Sequence, residues 1–115
     1  MKSILANVEN TNELVDLITN EILDTKGLDV VAIDVTGKSS ITDVMMICTG
    51  TSNRHTNAIA EKVNVKLKKN GVITNGIEGE NPGDWVLLDC GDVILHVMQS
   101  EARLTYELEK LYENL

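Results

Sequence analysis

The run Asp43–Ser52, DVMMICTGTS, decides how the rest of the chain is read. From Val44 to Cys48 no charged residue interrupts it, and it is too short for a buried helix. Unbroken apolar runs of this length are typical of strands covered on both faces, whereas a strand with one wet face alternates. The run then breaks at Gly50-Thr51-Ser52-Asn53, and the period changes. Ile59, Ala60, Val63 and Leu67 recur at helical spacing, which predicts a helix from about Asn53 to Lys69 with Ser52 as its cap, ended by Asn70-Gly71. A doubly covered strand passed through a glycine turn into an amphipathic helix is an α/β arrangement.

The pattern extends in both directions. Upstream, Leu14, Val15, Ile18 and Ile22 make one stripe of a helix over 11–26, with Asn10 or Thr11 as N-cap and Gly27 as its stop. Residues 29–35, DVVAIDV, are β-branched and read as a strand. Downstream, 72–77 reads as a short strand broken by Asn75-Gly76, and EGENPG over 78–83 is a turn-rich loop. Strands over 84–89 and 92–98 follow, joined by Asp89-Cys90-Gly91-Asp92. A last helix is expected from Glu101 to Asn114, capped by Ser100, with Leu104, Leu108, Leu111 and Leu115 as its stripe. The order α-β-β-α-β-β-β-α, with short connections throughout, predicts a single α/β domain over 1–115: a mixed five-stranded sheet with flanking helices.

The chain has 115 residues and a formal charge of −8, unevenly spread. Residues 1–34 carry two basic and seven acidic groups, 53–69 five basic and one acidic, and 78–115 two basic and nine acidic. Acidic surfaces repel phosphate backbones, so broad nucleic-acid contact is not expected outside the basic segment; a basic protein is the better electrostatic match. Cys48 and Cys90 lie in apolar strand-like stretches without metal-type spacing and read as buried free thiols. The apolar run near the N-terminus is too short for a signal peptide, and none elsewhere approaches a membrane span. A cytoplasmic location is expected.

Residues Gly83–His96, GDWVLLDCGDVILH, concentrate the residue types of an active site: the one Trp, a His, a Cys and three Asp. Strand geometry argues against catalysis. Trp85, Leu87 and Asp89 share one face of their strand. Asp89 and Asp92 flank the turn, and His96 is four residues beyond Asp92, roughly 13 Å at strand rise, too far for a shared metal. No metal and no cofactor are expected. A nucleotidyltransferase would need paired carboxylates on the strand after the Gly-x-Ser turn. Instead a basic helix follows, and Glu78 and Glu80 flank Gly79 in a turn. Neither histidine has a nucleophile and an acid at triad spacing. A helix N-terminus at Gly50–Asn53 offers an anion site in principle. Ser52 and Arg54 there, with Lys62 and Lys66 further along, are the candidates for an anion or RNA contact; capping by Ser52 and a solvated lysine face are the plainer readings. Trp85 on this pattern is either a core residue or the centre of an interface, and His96 either a structural residue of the sheet or part of that interface.

Three segments, DVMMICTGTSNRHTNAIAEKV, EGENPGDWVLLDCGDVILHVM and EARLTYELEKLY, occur in this order and at these distances. Together they resemble the ribosomal silencing factor family, also called Iojap-like, over about 100 of the 115 residues. The resemblance implies a fold with nucleotidyltransferase-like topology but without that group's catalytic residues, hence not an enzyme. It implies binding to the large ribosomal subunit through ribosomal protein L-fourteen, obstruction of small-subunit docking, and lowered translation under nutrient limitation. It also implies homodimers of the free protein. It shifts Trp85 toward the interface, so that Trp85, Leu87, Asp89, Asp92, Leu95 and His96 become the expected partner-binding residues. The alternative drawn from the residues is a nucleotide-binding or nucleotidyltransferase-type enzyme using the Gly50–Asn53 turn.

Overall fold

A computed structural model of the chain describes residues 10–113. Helix α1 spans Thr11–Asp24, strand β1 Leu28–Asp34, β2 Val44–Gly50, helix α2 Asn53–Lys69, β3 Ile77–Glu78, β4 Trp85–Asp89, β5 Val93–Gln99, and two short helices follow, α3 Ser100–Tyr106 and α4 Leu108–Glu113. The strands form one mixed sheet in the order β1-β2-β5-β4-β3. Only the β2–β5 pair is parallel; β1–β2, β4–β5 and β3–β4 are antiparallel. The body measures 44 × 32 × 20 Å along its principal axes.

Local sequence explains most boundaries. The Asn10 side chain accepts the Glu13 N–H at 3.0 Å, and Ser52 accepts that of His55 at 3.0 Å, so both long helices start at side-chain caps. At the end of α1 the left-handed residue is Lys26 (φ 67°), with Gly27 one place beyond it. Helix α2 closes at Asn70, and Val72 N–H returns to Leu67 O at 2.9 Å.

Strand β2 is buried from Met45 to Gly50, as a doubly covered strand should be. On one sheet face lie α1 and α2. Their Leu14, Ile18, Ile22, Ile59, Val63 and Leu67 pack on Met46, Cys48, Val86, Leu88, Leu95 and Val97. Cys48 and Cys90 are buried free thiols in this layer, and burial pushes both up to about 12. On the other face a smaller cluster, Val35, Met45, Ile47, Met98 and Ala102, is flanked by Ile33, Trp85 and Leu108.

Three expectations are corrected. Regular pairing of the strand expected over 72–77 is limited to Ile77–Glu78, because Gly76 takes φ 100° and Asn75 N–H is drawn to Asp89 O at 2.9 Å. The hairpin turn is displaced by one residue: Cys90 N–H bonds Val93 O at 2.8 Å, so Gly91 (φ 83°) and Asp92 are the two central residues and the favourable glycine stands first. The last helix is two helices, because Glu107 adopts a left-handed conformation (φ 47°). Its first residue is Ser100, preceded by Gln99, and no side chain caps it. Of the expected leucine stripe only Leu108 packs on the sheet; Leu104 and Leu111 are exposed, and Leu115 lies outside the described residues.

Candidate functional site

Register decides which side chains share the hairpin's outer face. Trp85 pairs with Met98, Leu87 with His96 and Asp89 with Ile94. Paired residues project to the same side of a sheet, so these six line one face, opposite α1 and α2. The row through Leu87 continues to Glu78 of β3 on one side and, beyond His96, to Ile47 of β2 on the other. Trp85, Leu87, Asp89 and Ile94 are half-buried, His96 and Met98 buried. The short helices α3 and α4 cover the part of this face formed by β1, β2 and β5.

Trp85 stands at the border of that cover. Its indole Nε1–H donates to His96 Nδ1 at 3.0 Å. Its ring lies 4.8 Å from that of Tyr106, centroid to centroid and tilted by 44°, and 5.9 Å from the imidazole of His96. Tyr106 itself is 55 % exposed. Burial drives His96 down to about 4, which leaves it an uncharged imidazole with a lone pair at Nδ1 for the indole to use. The result is an aromatic and aliphatic patch, Trp85, Tyr106, Leu87 and Ile94, with one edge polar.

Acids border the patch. Glu78, Asp84 and Asp92 are exposed there, whereas the exposed Glu80 is turned toward α2, its carboxyl against Glu61, which raises its pKa. Asp89 is tied into the turn, its Oδ1 accepting the Gly91 N–H at 2.9 Å. A groove of about 260 Å³ between Asp84, Gln99, Glu101 and Tyr106 extends the acidic border toward α3. Among the described residues no three His, Cys, Asp or Glu side chains come together as a metal site.

Of the residues expected at the interface, Trp85, Leu87, Asp89 and His96 share the face, and Asp92 sits in the turn at its end. Leu95 does not belong with them. It pairs with Leu88 and Met46 on the opposite face, fully buried beneath the helices, because the alternation that brings His96 outward sends Leu95 inward. Tyr106 and Ile94 join the face unexpectedly. The signal for Tyr106 was present in EARLTY, where it follows Arg103 by three residues, one helical turn on.

The Gly50–Asn53 turn is occupied by its own chain. Thr51 N–H donates to His55 Nδ1 at 2.9 Å, so the imidazole hydrogen is on Nε2, which donates to Thr25 O at 2.7 Å. His55 N–H is taken by Ser52 Oγ and Thr56 N–H by Ser52 O, so the turn is capped from within the chain. A Cβ on Gly50 would meet Thr56 Cγ2 at 2.7 Å; the glycine allows strand and helix to approach. The turn also secures the loop that delivers Trp85. Thr56 Oγ1–H donates to Gly83 O at 2.6 Å, Asn57 Nδ2 to Glu80 O at 3.0 Å, and Gln99 Nε2 to Asn53 Oδ1. Arg54, Lys62 and Lys66 are exposed on α2, on the other side of the sheet from Trp85.

A larger cavity, about 560 Å³, lies where α3 and α4 meet β1 and β2. Arg103 lines it, but its guanidinium is engaged by Asp29 O at 2.7 Å, Thr49 Oγ1 at 2.8 Å and Glu109 at 2.9 and 3.3 Å. Those bonds hold the C-terminal helices to the sheet.

Comparison with known proteins gives a consistent result. The family model described as ribosomal silencing factor during starvation matches residues 8–115. The Haemophilus influenzae protein named ribosomal silencing factor RsfS is 48 % identical over 99 residues, covering 86 % of this chain and 97 % of that one. A mouse protein named mitochondrial assembly of ribosomal large subunit protein 1 is 34 % identical over 102 residues, 85 % of this chain and 44 % of its own length. A crystal structure of a Chromobacterium violaceum protein superposes with a TM-score of 0.88 at 39 % identity, covering 91 % of this chain and 88 % of that one.

Proposed function

From the premise that this chain belongs to the ribosomal silencing factor family, we propose that it binds the large ribosomal subunit and by its bulk keeps the small subunit away. The partner in this reading is ribosomal protein L-fourteen, and the contact is the hairpin face around Trp85 and Leu87. Translation falls, under nutrient limitation, without any bond being made or broken. Residues 1–115 act as a single domain in the cytoplasm, where the target is.

The observation that carries the reading is the patch of half-buried Trp85, Leu87 and Ile94 beside exposed Tyr106, inside a border of carboxylates. A large aromatic held half out of water, beside apolar neighbours, is the arrangement of an interface anchor. The acidic border suits a basic ribosomal protein and steers its approach, while the apolar centre supplies affinity. The same face, when unoccupied, is open to a second copy of the chain, so that a dimer of the free protein would compete with ribosome binding.

Sedimentation of purified subunits through sucrose gradients tests the proposal. The protein should travel with the large-subunit peak and deplete joined ribosomes. Leu87→Glu puts a charge at the centre of the patch without emptying the core, and Trp85→Ala removes the anchor. Each should cost about 2 kcal/mol or more of binding, roughly 30-fold. Wild-type depletion of joined ribosomes by a folded Leu87→Glu variant would place the contact elsewhere.

A further inference from the structure

We propose that His96 is a positioning residue for the binding face, which acts through Trp85 by holding the indole in the one orientation that presents its apolar ring beside Tyr106. This rests on the reading that the Trp85 face meets the partner. The two residues are diagonal neighbours across the hairpin, since His96 is directly opposite Leu87, two places on from Trp85. Diagonal pairs are about 7–8 Å apart at the backbone, within reach of aromatic side chains. Here the gap is closed by the 3.0 Å bond from Nε1–H to Nδ1.

The imidazole is well placed for that task and poorly placed for meeting a partner itself. It is 9 % exposed, with Ile47 of β2 fully buried on one side and Leu87 on the other. An indole nitrogen only donates. With His96 as acceptor that need is met on the inner side of the patch, and the carbocycle is left to face outward. Remove the acceptor and the N–H must seek water, which requires the ring to rotate away from Tyr106, now 4.8 Å distant. Ordering such a side chain at the moment of binding lowers affinity; ordering it in advance does not.

Three variants separate positioning from direct contact. His96→Leu removes the acceptor and keeps the bulk, His96→Asn offers an amide oxygen in its place, and Trp85→Phe removes the donor. In the free protein, the indole ¹H–¹⁵N signal should be protected from exchange, lose that protection in His96→Leu and regain part of it in His96→Asn. In co-sedimentation with purified large subunits, His96→Leu should weaken binding about 5- to 10-fold. It should have no further effect in a Trp85→Phe background, and His96→Asn should recover most of the loss. An indole signal indifferent to His96→Leu overturns the proposal, as does an equal loss of binding with and without the indole, which would make His96 a contact residue. If the wild-type protein does not sediment with large subunits, the functional reading fails, and the indole signal alone still decides whether His96 orients the ring.

Discussion

At Trp85 one side chain serves two environments. Its outer ring stands at the surface against Tyr106, and its nitrogen is anchored inward on a histidine that burial keeps uncharged. The anchor has a price in acid. His96 is pushed from 6.5 down to about 4 in the folded chain, so between those values the unfolded chain takes up a proton that the folded chain refuses. The stability contributed by neutral His96 is complete above about pH 6.5 and is lost progressively as pH falls to about 4, by about 3 kcal/mol in all. Urea unfolding of wild type and His96→Asn across this range measures it: the stability advantage of wild type should shrink as pH falls, and a constant difference would mean that His96 titrates normally. At this scale alternation along each strand puts Trp85 with Leu87 on one face of β4 and sets His96 apart from Leu95 on β5. It could not say which face of β5 matches which face of β4, since a register slip of one residue exchanges them. Only the pairing shows that Leu95 belongs with Leu88 and Met46 under the helices, not with Trp85.

The elements divide in the same way between local and remote causes. Asn10 and Ser52 cap the two long helices through bonds spanning three residues, and such bonds are legible in the chain order. The break between α3 and α4 is not. It comes from Arg103 reaching Asp29, Thr49 and Glu109, and from Leu108 turning onto the sheet, contacts that bridge up to 74 residues. By periodicity alone Leu104 to Leu115 make one stripe. Two substitutions test this account. Arg103→Met strands Glu109 and the Asp29 carbonyl and should cost about 2 kcal/mol of stability, less than a fully buried pair because Glu109 is partly wet. Glu107→Gly relieves a left-handed residue at φ 47° and should stabilise by up to about 1 kcal/mol, the loss of its exposed pair with Lys110 counting for little. Chemical denaturation of the two variants gives both values, and destabilisation by Glu107→Gly would refute the strain.

Across the whole molecule the basic helix α2 and the acidic hairpin lie on opposite sides of the sheet, although α1, beside α2, is itself acidic with Glu13, Asp16, Glu21 and Asp24. The carboxylates of Glu78, Asp84, Asp89 and Asp92 gather around the hairpin, while Lys62 and Lys66 project from α2 on the far side of the sheet. Binding to a basic protein should therefore be steered by the hairpin's acids. Asp92→Lys, in an exposed turn position, should slow association with large subunits several-fold at low salt and hardly at all at high salt, with the dissociation rate unchanged. A loss that ignores salt would point to damage at the turn instead. The mixed five-stranded sheet follows from the covered run at Val44 and the order of the elements, and is legible in the chain; the placement of the acidic hairpin face opposite the lysines of α2 needs the pairing of β2 with β5.

The 20 Å short axis of the body has a mechanical meaning. Surfaces that join at atomic contact approach to about 4 Å. A shim five times as thick, seated on either one, keeps the whole joint open, however favourable the remaining contacts would be. On the proposed function, such a device requires neither motion nor fuel, and its potency is set by how long it stays seated.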